Sequence, residues 1–356
     1  MKKLLFILGA VLTFNCIAQT AYITNSGDNT VSVINVATNT VSATIPVGSW
    51  PLGVSVSPDG TKVYVANNND STVSVINTAA DTVSATITVG SIPLGVSVST
   101  DGLRVYVANF NSNTVNVINT ATNTVTDTIA VGTKPFGVSV SPDGTKVYVT
   151  NDGSNSVSVI NSAINTISAT ITVGMYPWGV SLSPDGYKVY VANWSENTLS
   201  VINTATNTVS ATIPVGVGPR GVSVSPDGSK VYVANGDANT VSVINTATNT
   251  VSATITVGYH PVAFGNFISS YITGLASLSI EPESIEVYPN PTTNNIIIES
   301  LQKGIIEISN IQGQIIKTFE TCENNTKVDV TVFPSGVYFI KVKTEKGVAV
   351  KKFVKE

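Results

Sequence analysis

The amino-acid sequence predicts an all-β protein, a six-bladed β-propeller of four-stranded blades followed by a small Ig-like β-sandwich. The first observation is a repeat of constant length, 42 residues, that begins at a proline each time. The second is that every repeat holds short runs of alternating Val and Ser or Thr, a period of two that is typical of strands. The repeat prolines are Pro51, Pro93, Pro135, Pro177, Pro219 and Pro261.

One repeat is predicted to form four strands joined by tight turns. In the copy that starts at Pro51, the strand candidates are residues 54–56, 63–65, 73–75 and 83–87. The Ser-Pro-Asp-Gly turn at 57–60 is favoured because proline fixes φ, aspartate bonds its own backbone and glycine accepts positive φ. Four short strands in roughly 40–45 residues are the size of one propeller blade. Radial repetition also protects the sheet edges that a linear stack would expose.

The two ends of the repeat array are incomplete in complementary ways. The first copy begins at Tyr22-Ile23-Thr24-Asn25 without its innermost strand, whereas residues 261–268 repeat the opening of a blade and then stop. We expect this last segment to complete the first blade and close the ring, which gives six blades.

The tetrapeptide Tyr148-Val149-Thr150-Asn151 recurs with small changes at Tyr22, Tyr64, Tyr106, Tyr190 and Tyr232. These segments resemble the YVTN-type β-propeller repeats of bacterial and archaeal surface proteins, over about residues 21–268. The resemblance implies a surface or binding scaffold, with lactonase-like propellers among the distant relatives. Such proteins often have seven blades, whereas the repeats here number six.

The first 18 residues resemble an export signal. Lys2 and Lys3 precede an apolar run over residues 4–14, and cleavage after Ala18 would follow small residues. The alternative is a lipoprotein acylated at Cys16, although Asn15 stands where a small residue is usual. The expected domains are therefore a signal peptide at 1–18 and a propeller at 19–270.

After residue 268 the composition changes, and residues 271–284 are expected to be a linker to a β-domain at 285–356. Four separated motifs in this tail resemble the C-terminal sorting domain of the type IX secretion system. The motif residues are Tyr288, Pro289, Asn290, Pro291, Gly313, Gly336, Tyr338, Lys352 and Phe353. The resemblance implies that the type IX machinery is a partner, that the source is a Bacteroidetes-like bacterium, and that the protein is released or held at the outer surface. The alternative is an ordinary Ig-like module that stays attached.

Composition excludes several classes of function. Only 11% of residues are charged and the formal net charge is −4, so no basic surface is available to gather nucleic acid. No stretch reaches the roughly 18 apolar residues of a transmembrane helix. The propeller holds one histidine, His260, and one glutamate, Glu196, and its repeated Asp-Gly acids are explained by turns. No zinc spacing or nucleophile motif occurs, so we predict no catalytic residue, metal or cofactor.

Two loops differ among the repeats while the strands barely change. One joins consecutive blades and the other joins strands two and three, so both follow even-numbered strands and are expected at the same end of the sheets. Aromatic rings beside polar groups suit a carbohydrate or peptide surface. The candidate residues are Trp50, Phe110, Lys134, Phe136, Tyr176, Trp178, Trp194, Glu196, Arg220, Tyr259 and His260. The alternative is that these residues only fill space between blades.

Six recurring asparagines have two interpretations. They form either a ring of oxygen ligands for a cation or hydrogen bonds to backbone at the strand ends. They are Asn25, Asn67, Asn109, Asn151, Asn193 and Asn235.

These observations predict a secreted or surface-attached, non-catalytic protein that binds a glycan, a polymer or another protein, as in adhesion. One alternative is a lactonase-like hydrolase, against which the scarcity of histidine and glutamate speaks. Another is an architectural tile of a surface layer or matrix.

Overall fold

The computed structural model describes residues 20–262, 285–299, 304–310, 315–320, 325–344 and 347–356. The chain divides into two compact units, Met1–Tyr271 and Ile272–Glu356. The predicted signal peptide, most of the predicted closing segment, the predicted linker and Gly313 lie outside the described residues.

The first unit contains six antiparallel sheets, each formed by strands that are consecutive in the chain. Sheet 1 has three strands and sheets 2 to 6 have four each. Sheet 1 comprises β1 (Thr20–Asn25), β2 (Thr30–Asn35) and β3 (Thr40–Pro46); sheet 2, β4 (Pro51–Val56), β5 (Lys62–Asn67), β6 (Thr72–Asn77) and β7 (Thr82–Thr88); sheet 3, β8 (Pro93–Val98), β9 (Arg104–Asn109), β10 (Thr114–Asn119) and β11 (Thr124–Ala130). Sheet 4 comprises β12 (Pro135–Val140), β13 (Lys146–Asn151), β14 (Ser156–Asn161) and β15 (Thr166–Thr172); sheet 5, β16 (Pro177–Leu182), β17 (Lys188–Asn193), β18 (Thr198–Asn203) and β19 (Thr208–Pro214); sheet 6, β20 (Pro219–Val224), β21 (Lys230–Asn235), β22 (Thr240–Asn245) and β23 (Thr250–Thr256). A 3-10 turn, Asp152–Ser154, follows β13. The predicted all-β architecture of four-stranded repeats is confirmed.

The predicted turns form as their residues dictate. In sheet 2 the Ser57 hydroxyl donates to Asp59 Oδ1 at 2.6 Å, and the Thr61 N–H donates to the same oxygen at 3.0 Å. Gly60 sits at φ +71°, which glycine adopts without steric cost. These bonds fix the hairpin between the first and second strands of the sheet.

Neighbouring sheets pack through their first strands, which lie innermost. β4, β8, β12, β16 and β20 contact one another in sequence, whereas the fourth strands of neighbouring sheets touch much less. The glycine two residues after each of the first five repeat prolines permits this approach: a Cβ on Gly95 would lie 2.5 Å from the Phe136 carbonyl oxygen. Valines, isoleucines and a tyrosine from both facing sheets fill the space further out, as between sheets 2 and 3.

A basic side chain at the start of each second strand ties one sheet to the next. Lys62 Nζ donates to the Thr120 carbonyl at 2.5 Å, and Lys146 and Lys188 reach the Thr204 and Thr246 carbonyls at 3.1 Å each. Arg104 makes the equivalent bond to the Ser162 carbonyl. The same contact therefore recurs at four consecutive boundaries from sheet 2 to sheet 6.

The two end sheets each keep an uncovered apolar face. Ile255 in sheet 6 is 46% exposed, whereas the equivalent isoleucines of sheets 1 to 5 are 2–5% exposed. Within residues 20–262 no extensive contact joins sheet 6 to sheet 1. The number of blades and the closure of the ring therefore stay predictions.

The second unit is a two-sheet sandwich, as the tail predicted. One sheet has the order β24 (Glu286–Tyr288), β25 (Asn295–Glu299), β28 (Asn325–Asp329), and the other has the order β27 (Ile315–Glu320), β26 (Gly304–Asn310), β29 (Gly336–Thr344), β30 (Gly347–Lys355). Ile296 and Ile298 from the first sheet share a core with Ile306, Ile340 and Phe353 from the second.

Two of the tail motifs meet although they are far apart in the chain. The Asn290 side chain accepts the Val354 N–H at 2.9 Å and donates to the Lys352 carbonyl at 3.1 Å, so it pairs with β30 as a neighbouring strand would. Tyr338 stacks on Phe353 with ring centres 5.4 Å apart. The folded domain is therefore needed to bring these motifs together.

Candidate binding face

The two variable loops lie together at one end of the sheets. The Asn68 N–H donates to the Trp50 carbonyl at 3.1 Å, and the Trp194 N–H donates to the Tyr176 carbonyl at 3.0 Å. In each of the five four-stranded sheets, the strand 2–3 loop is thus bonded to the connection that enters the same sheet. We call the end of the sheets that carries these loops the loop face.

The residue before each repeat proline is held in the left-handed region of φ. Trp50, Ile92, Lys134 and Tyr176 lie at φ +53° to +56°, and His260 lies at +48°. Such values are uncommon for bulky or β-branched residues and are strained, so surrounding bonds must hold them. The Tyr176 N–H, for example, donates to Asn155 Oδ1 of the preceding sheet at 3.1 Å. The loop face is therefore presented on a rigid backbone.

Five of the candidate residues form one contiguous aromatic ladder, defined here as Phe110, Phe136, Trp178, Trp194 and Tyr176. Phe136 stacks on Trp178 with ring centres 4.7 Å apart, and Trp178 stacks on Trp194 at 5.7 Å, both within 11° of parallel. Phe110 meets Phe136 edge-on at 6.2 Å, and Tyr176 meets Trp194 edge-on at 6.1 Å. The ladder spans sheets 3, 4 and 5, so aromatic rings bridge three neighbouring sheets.

A buried carboxylate supports the centre of the ladder. Asp152 is 7% exposed and accepts the Trp178 Nε1–H at 2.9 Å. Burial raises the pKa of the Asp152 carboxyl, and the Trp178 bond and the Lys134 charge offset part of that rise. Lys134 Nζ lies 5.5 Å from the Phe110 ring centre, a cation–π distance.

Arg220, on the first strand of sheet 6, contacts the aromatic ladder. Its guanidinium lies 5.4 Å from the Trp178 ring centre and donates to Asp237 Oδ1 at 2.9 Å. His260 Nδ1 lies 3.4 Å from the same guanidinium and 3.7 Å from Asp237. Tyr259 meets the His260 ring edge-on at 4.1 Å.

The geometry divides the candidate residues into packed and exposed groups. Trp178 lies between the rings of Phe136 and Trp194, and Phe136 stacks on Trp178 and is 9% exposed, which is the arrangement that the packing interpretation predicts. Trp50, Tyr176 and Tyr259 are 48%, 40% and 83% exposed. Glu196 is exposed and lies close to Gly174. Trp50 and Glu196 lie outside the ladder.

The structure adds residues that the sequence comparison missed. Met175 and Val217 are exposed in the same connections, two positions before the repeat proline. Equivalent positions in other repeats hold the polar residues Ser49, Ser91 and Thr133. This difference between the repeats is visible in the sequence and is the signal that identifies Met175 and Val217. Asp152 and Asp237 acquire their roles only through contacts with Trp178 and Arg220.

The recurring asparagines bond to side chains. Asn67 Nδ2 donates to Thr72 Oγ1 at 3.0 Å and to Ser74 Oγ at 2.9 Å, and the other five make equivalent bonds to the next strand of their own sheets. The prediction that these asparagines bond to backbone at the strand ends is therefore wrong, because their amide nitrogens donate to side chains. Among the described residues, no group of three or more His, Cys, Asp or Glu could hold a metal ion.

Sheets of four antiparallel strands packed through their inner strands define a β-propeller protein, and the sandwich adds a second β-domain. Three family models match parts of the chain. Residues 286–356 match the secretion system C-terminal sorting domain, residues 89–193 a YNCE-like beta-propeller, and residues 161–269 the lactonase, 7-bladed beta-propeller. The chain is thus similar to propeller proteins over its repeats and to type IX secretion cargo over its tail.

Two solved structures have folds similar to the fold of this chain. Hydrazine synthase of Kuenenia stuttgartiensis matches with a TM-score of 0.62 and 23% identity, over 68% of this chain and 84% of its own. A putative 6-phosphogluconolactonase from Bacteroides uniformis matches with a TM-score of 0.58 and 20% identity, over 66% of this chain and 80% of its own. At these identities the likeness concerns the fold alone. No protein with a curated description matches the chain.

The sorting-domain match indicates secretion by the type IX system to the cell surface or the outside of the cell, with the secretion machinery as partner of the tail. In the part of the chain that the structure describes, no helix is long and apolar enough to span a membrane.

Proposed function

We propose that this protein is a secreted or cell-surface propeller that binds a glycan, polymer or protein through its loop face without catalysing a reaction. The observation that carries the proposal is the group of exposed aromatic and apolar side chains on the connections between sheets 4, 5 and 6 and just after sheet 6. This group is Met175, Tyr176, Val217 and Tyr259, which are 40–83% exposed.

Two features support a binding role. Exposed apolar side chains grouped on one part of a surface tend to mark interaction sites. The backbone that carries Tyr176 is fixed by bonds from both sides, so little conformational entropy would be lost when a partner binds. The connections that leave sheets 1, 2 and 3 carry Ser49, Ser91 and Thr133 at the position equivalent to Met175. The loop face is therefore more apolar around sheets 4 to 6 at this position.

The binding test uses the full mature chain, fluorescently labelled, on a glycan array and on whole bacterial cells. We expect Tyr176→Ser and Tyr259→Ser each to weaken binding by about tenfold or more, since exposed tyrosines at the centre of an interface often contribute more than 1.4 kcal/mol. The matched control is Tyr187→Ser, because Tyr187 is 69% exposed but belongs to the Asp185–Gly186 turn, at the opposite end of the sheet. Unchanged binding by both loop-face variants, or an equal loss in the control, would reject the proposal.

A hydrolase remains a second candidate because residues 161–269 match a lactonase-type propeller model. His260, Asp237 and Arg220 are the group on the loop face that it would use, with His260 3.7 Å from Asp237. Hydrolysis of δ-lactones by the mature chain, lost in His260→Ala, would favour this candidate over simple binding.

We also propose that residues 1–18 are a cleaved export signal and that the mature propeller has six blades. The blade number is supported by six sheets of one repeat length and by Pro261, which repeats the proline that opens every four-stranded sheet. In this proposal the segment 261–268 adds the inner strand that sheet 1 lacks.

A further inference from the structure

Three large apolar side chains are exposed at the end of the sheets opposite the loop face. We call this end the turn face, because it carries the strand 1–2 and strand 3–4 turns of the four-stranded sheets. Leu103 is 61% exposed, Ile164 is 67% exposed and Tyr187 is 69% exposed. They lie in the turns of three consecutive sheets, 3, 4 and 5, and we call them the turn-face group.

The turn-face group departs from the repeat, because the other sheets carry small or polar residues at these positions. The residues equivalent to Leu103 and Tyr187 are Thr61, Thr145 and Ser229, and those equivalent to Ile164 are Thr38, Ala80, Thr122, Thr206 and Thr248. Since the large side chains are mostly exposed, they add little to packing within their own sheets. Exposed apolar side chains that are grouped tend to mark interaction sites.

The turns that carry the group contact one another. Arg104, the neighbour of Leu103, donates to the Ser162 carbonyl in the strand 3–4 turn of sheet 4. A Cβ on Gly186, in the strand 1–2 turn of sheet 5, would lie 3.6 Å from Pro142 Cδ in the equivalent turn of sheet 4. The group therefore belongs to one surface that crosses sheets 3, 4 and 5.

The loop face carries an exposed apolar group on an overlapping set of sheets. That group is Met175, Tyr176, Val217 and Tyr259, on the connections around sheets 4 to 6. Two chains placed end to end, turn face against loop face, would bury one group of each kind in a single contact. A contact between two copies of the same face would bury only one kind and leave the other exposed.

The charges also favour a contact between unlike faces. The exposed carboxylates of the strand 1–2 turns in sheets 3 to 5 are Asp101, Asp143 and Asp185. The basic residue that follows each of these turns is bonded to a carbonyl of the next sheet. Two turn faces would therefore meet carboxylate against carboxylate, which is unfavourable. The loop face presents both signs of charge, on Lys134, Glu196, Arg220 and Asp237.

We propose that the turn face of one chain binds the loop face of a second copy through these two apolar groups. The inference rests on the binding role proposed for the loop face and names a protein partner for it. A contact between two different surfaces is heterologous, so it adds chains in an open stack unless the rotation between them closes a ring.

Sedimentation velocity on the full mature chain tests the contact. We expect the mass of the wild type to rise with concentration beyond two chains. The turn-face variant combines Leu103→Ser with Tyr187→Ser, and the loop-face variant combines Tyr176→Ser with Tyr259→Ser. Each variant should need at least about tenfold more protein to associate, the usual effect of removing a large side chain from an interface.

Mixing the two variants is the sharpest arm. Each variant keeps one intact face, so an equimolar mixture should form pairs and stop at two chains. The matched control is Val41→Ser, because Val41 is 57% exposed on the outer strand β3 and should associate as the wild type does. All substituted side chains are exposed, and equal melting temperatures would show that the variants are folded.

A wild type that stays monomeric at every concentration, a turn-face variant that assembles as the wild type does, or a mixture without pairs overturns the proposal. The glycan and cell assay is run at a dilution where the chain is monomeric. Loss of stacking with intact binding there would refute only the stack, and stacking without glycan or cell binding would refute only that binding.

Discussion

At five of the six repeat prolines, an asparagine side chain of the preceding sheet accepts the N–H of the residue before the proline. Asn29 Oδ1 bonds the Trp50 N–H at 2.8 Å, and Asn113 Oδ1 bonds the Lys134 N–H at 2.8 Å. These asparagines adopt positive φ, near +55°, which asparagine tolerates better than most residues. At the remaining proline, Pro93, Ser71 takes the place of the asparagine with φ +54°, and in the described residues no bond joins its side chain to the Ile92 N–H.

We therefore expect Ser71→Asn to stabilise the propeller by about 1 kcal/mol, the usual net value of one hydrogen bond. For a domain of this size the melting temperature should rise by roughly 2–4 °C. Thermal unfolding followed by circular dichroism measures the change. The reverse substitution Asn113→Ser should lower the melting temperature by a similar amount, and a rise there would refute the role given to the asparagine.

At the scale of the element, the Ser-Pro-Asp-Gly and Ser-Thr-Asp-Gly turns make the stability of the hairpins depend on pH. In each turn a serine hydroxyl donates to the aspartate, as Ser225 does to Asp227 at 2.5 Å. This bond is the largest cause of the lowered pKa of Asp59, Asp101, Asp143, Asp185 and Asp227, and the pKa of Asp227 falls to about 2.

A carboxyl with a depressed pKa in the folded state contributes stability that is present above its unfolded pKa and is lost as the pH falls through its folded pKa. We expect the melting temperature to fall as the pH drops from about 4 to about 2, because five turns lose their aspartate acceptor together. Replacing all five aspartates by asparagine should flatten this acid dependence. Asp127→Asn, on outer strand β11, is the control and should leave the dependence as in the wild type; an unchanged slope in the fivefold variant would reject the assignment.

At the scale of the whole molecule, the array depends on how closely the inner strands approach one another. A Cβ on Gly137 would lie 2.5 Å from the Trp178 carbonyl oxygen of the next sheet, and the Gly137 N–H already donates to Thr150 Oγ1 at 2.8 Å. The closest atom is a backbone oxygen, which cannot swing away as the end of a flexible side chain could, and Val180 Cγ1 and Thr150 Oγ1 lie next, at 3.1 and 3.2 Å. The glycine therefore sets the spacing of sheets 4 and 5.

Gly137→Ala should destabilise the propeller by about 1–3 kcal/mol, the usual cost of overpacking. Gly27→Ala is the matched control, because a Cβ there meets no atom within 4 Å. That variant should stay within roughly 0.5 kcal/mol of the wild type, as surface substitutions do. Denaturant unfolding of both variants gives the comparison, and equal midpoints would show that sheets 4 and 5 can move apart without cost.

The sequence by itself determined the strands, the turns, the four-stranded repeat and the sorting motifs of the tail. These follow from local rules: a period of two in Val-Ser-Val, a fixed φ at proline, and identical residues at a constant spacing. It also determined that two variable loops share one end of each sheet, because strand number alone decides the end at which a loop emerges.

Only the tertiary structure decided what the variable residues do. Phe136 and Trp178 lie 42 residues apart in the chain, and their stacking at 4.7 Å depends on the packing of neighbouring inner strands. Ring faces that the sequence suggested for a ligand are occupied by other rings, while Tyr176 and Tyr259 stay exposed. Spacing along a chain reports the periodicity of a strand, but contacts between sheets depend on side-chain volume and inter-strand distance, which only the folded array sets.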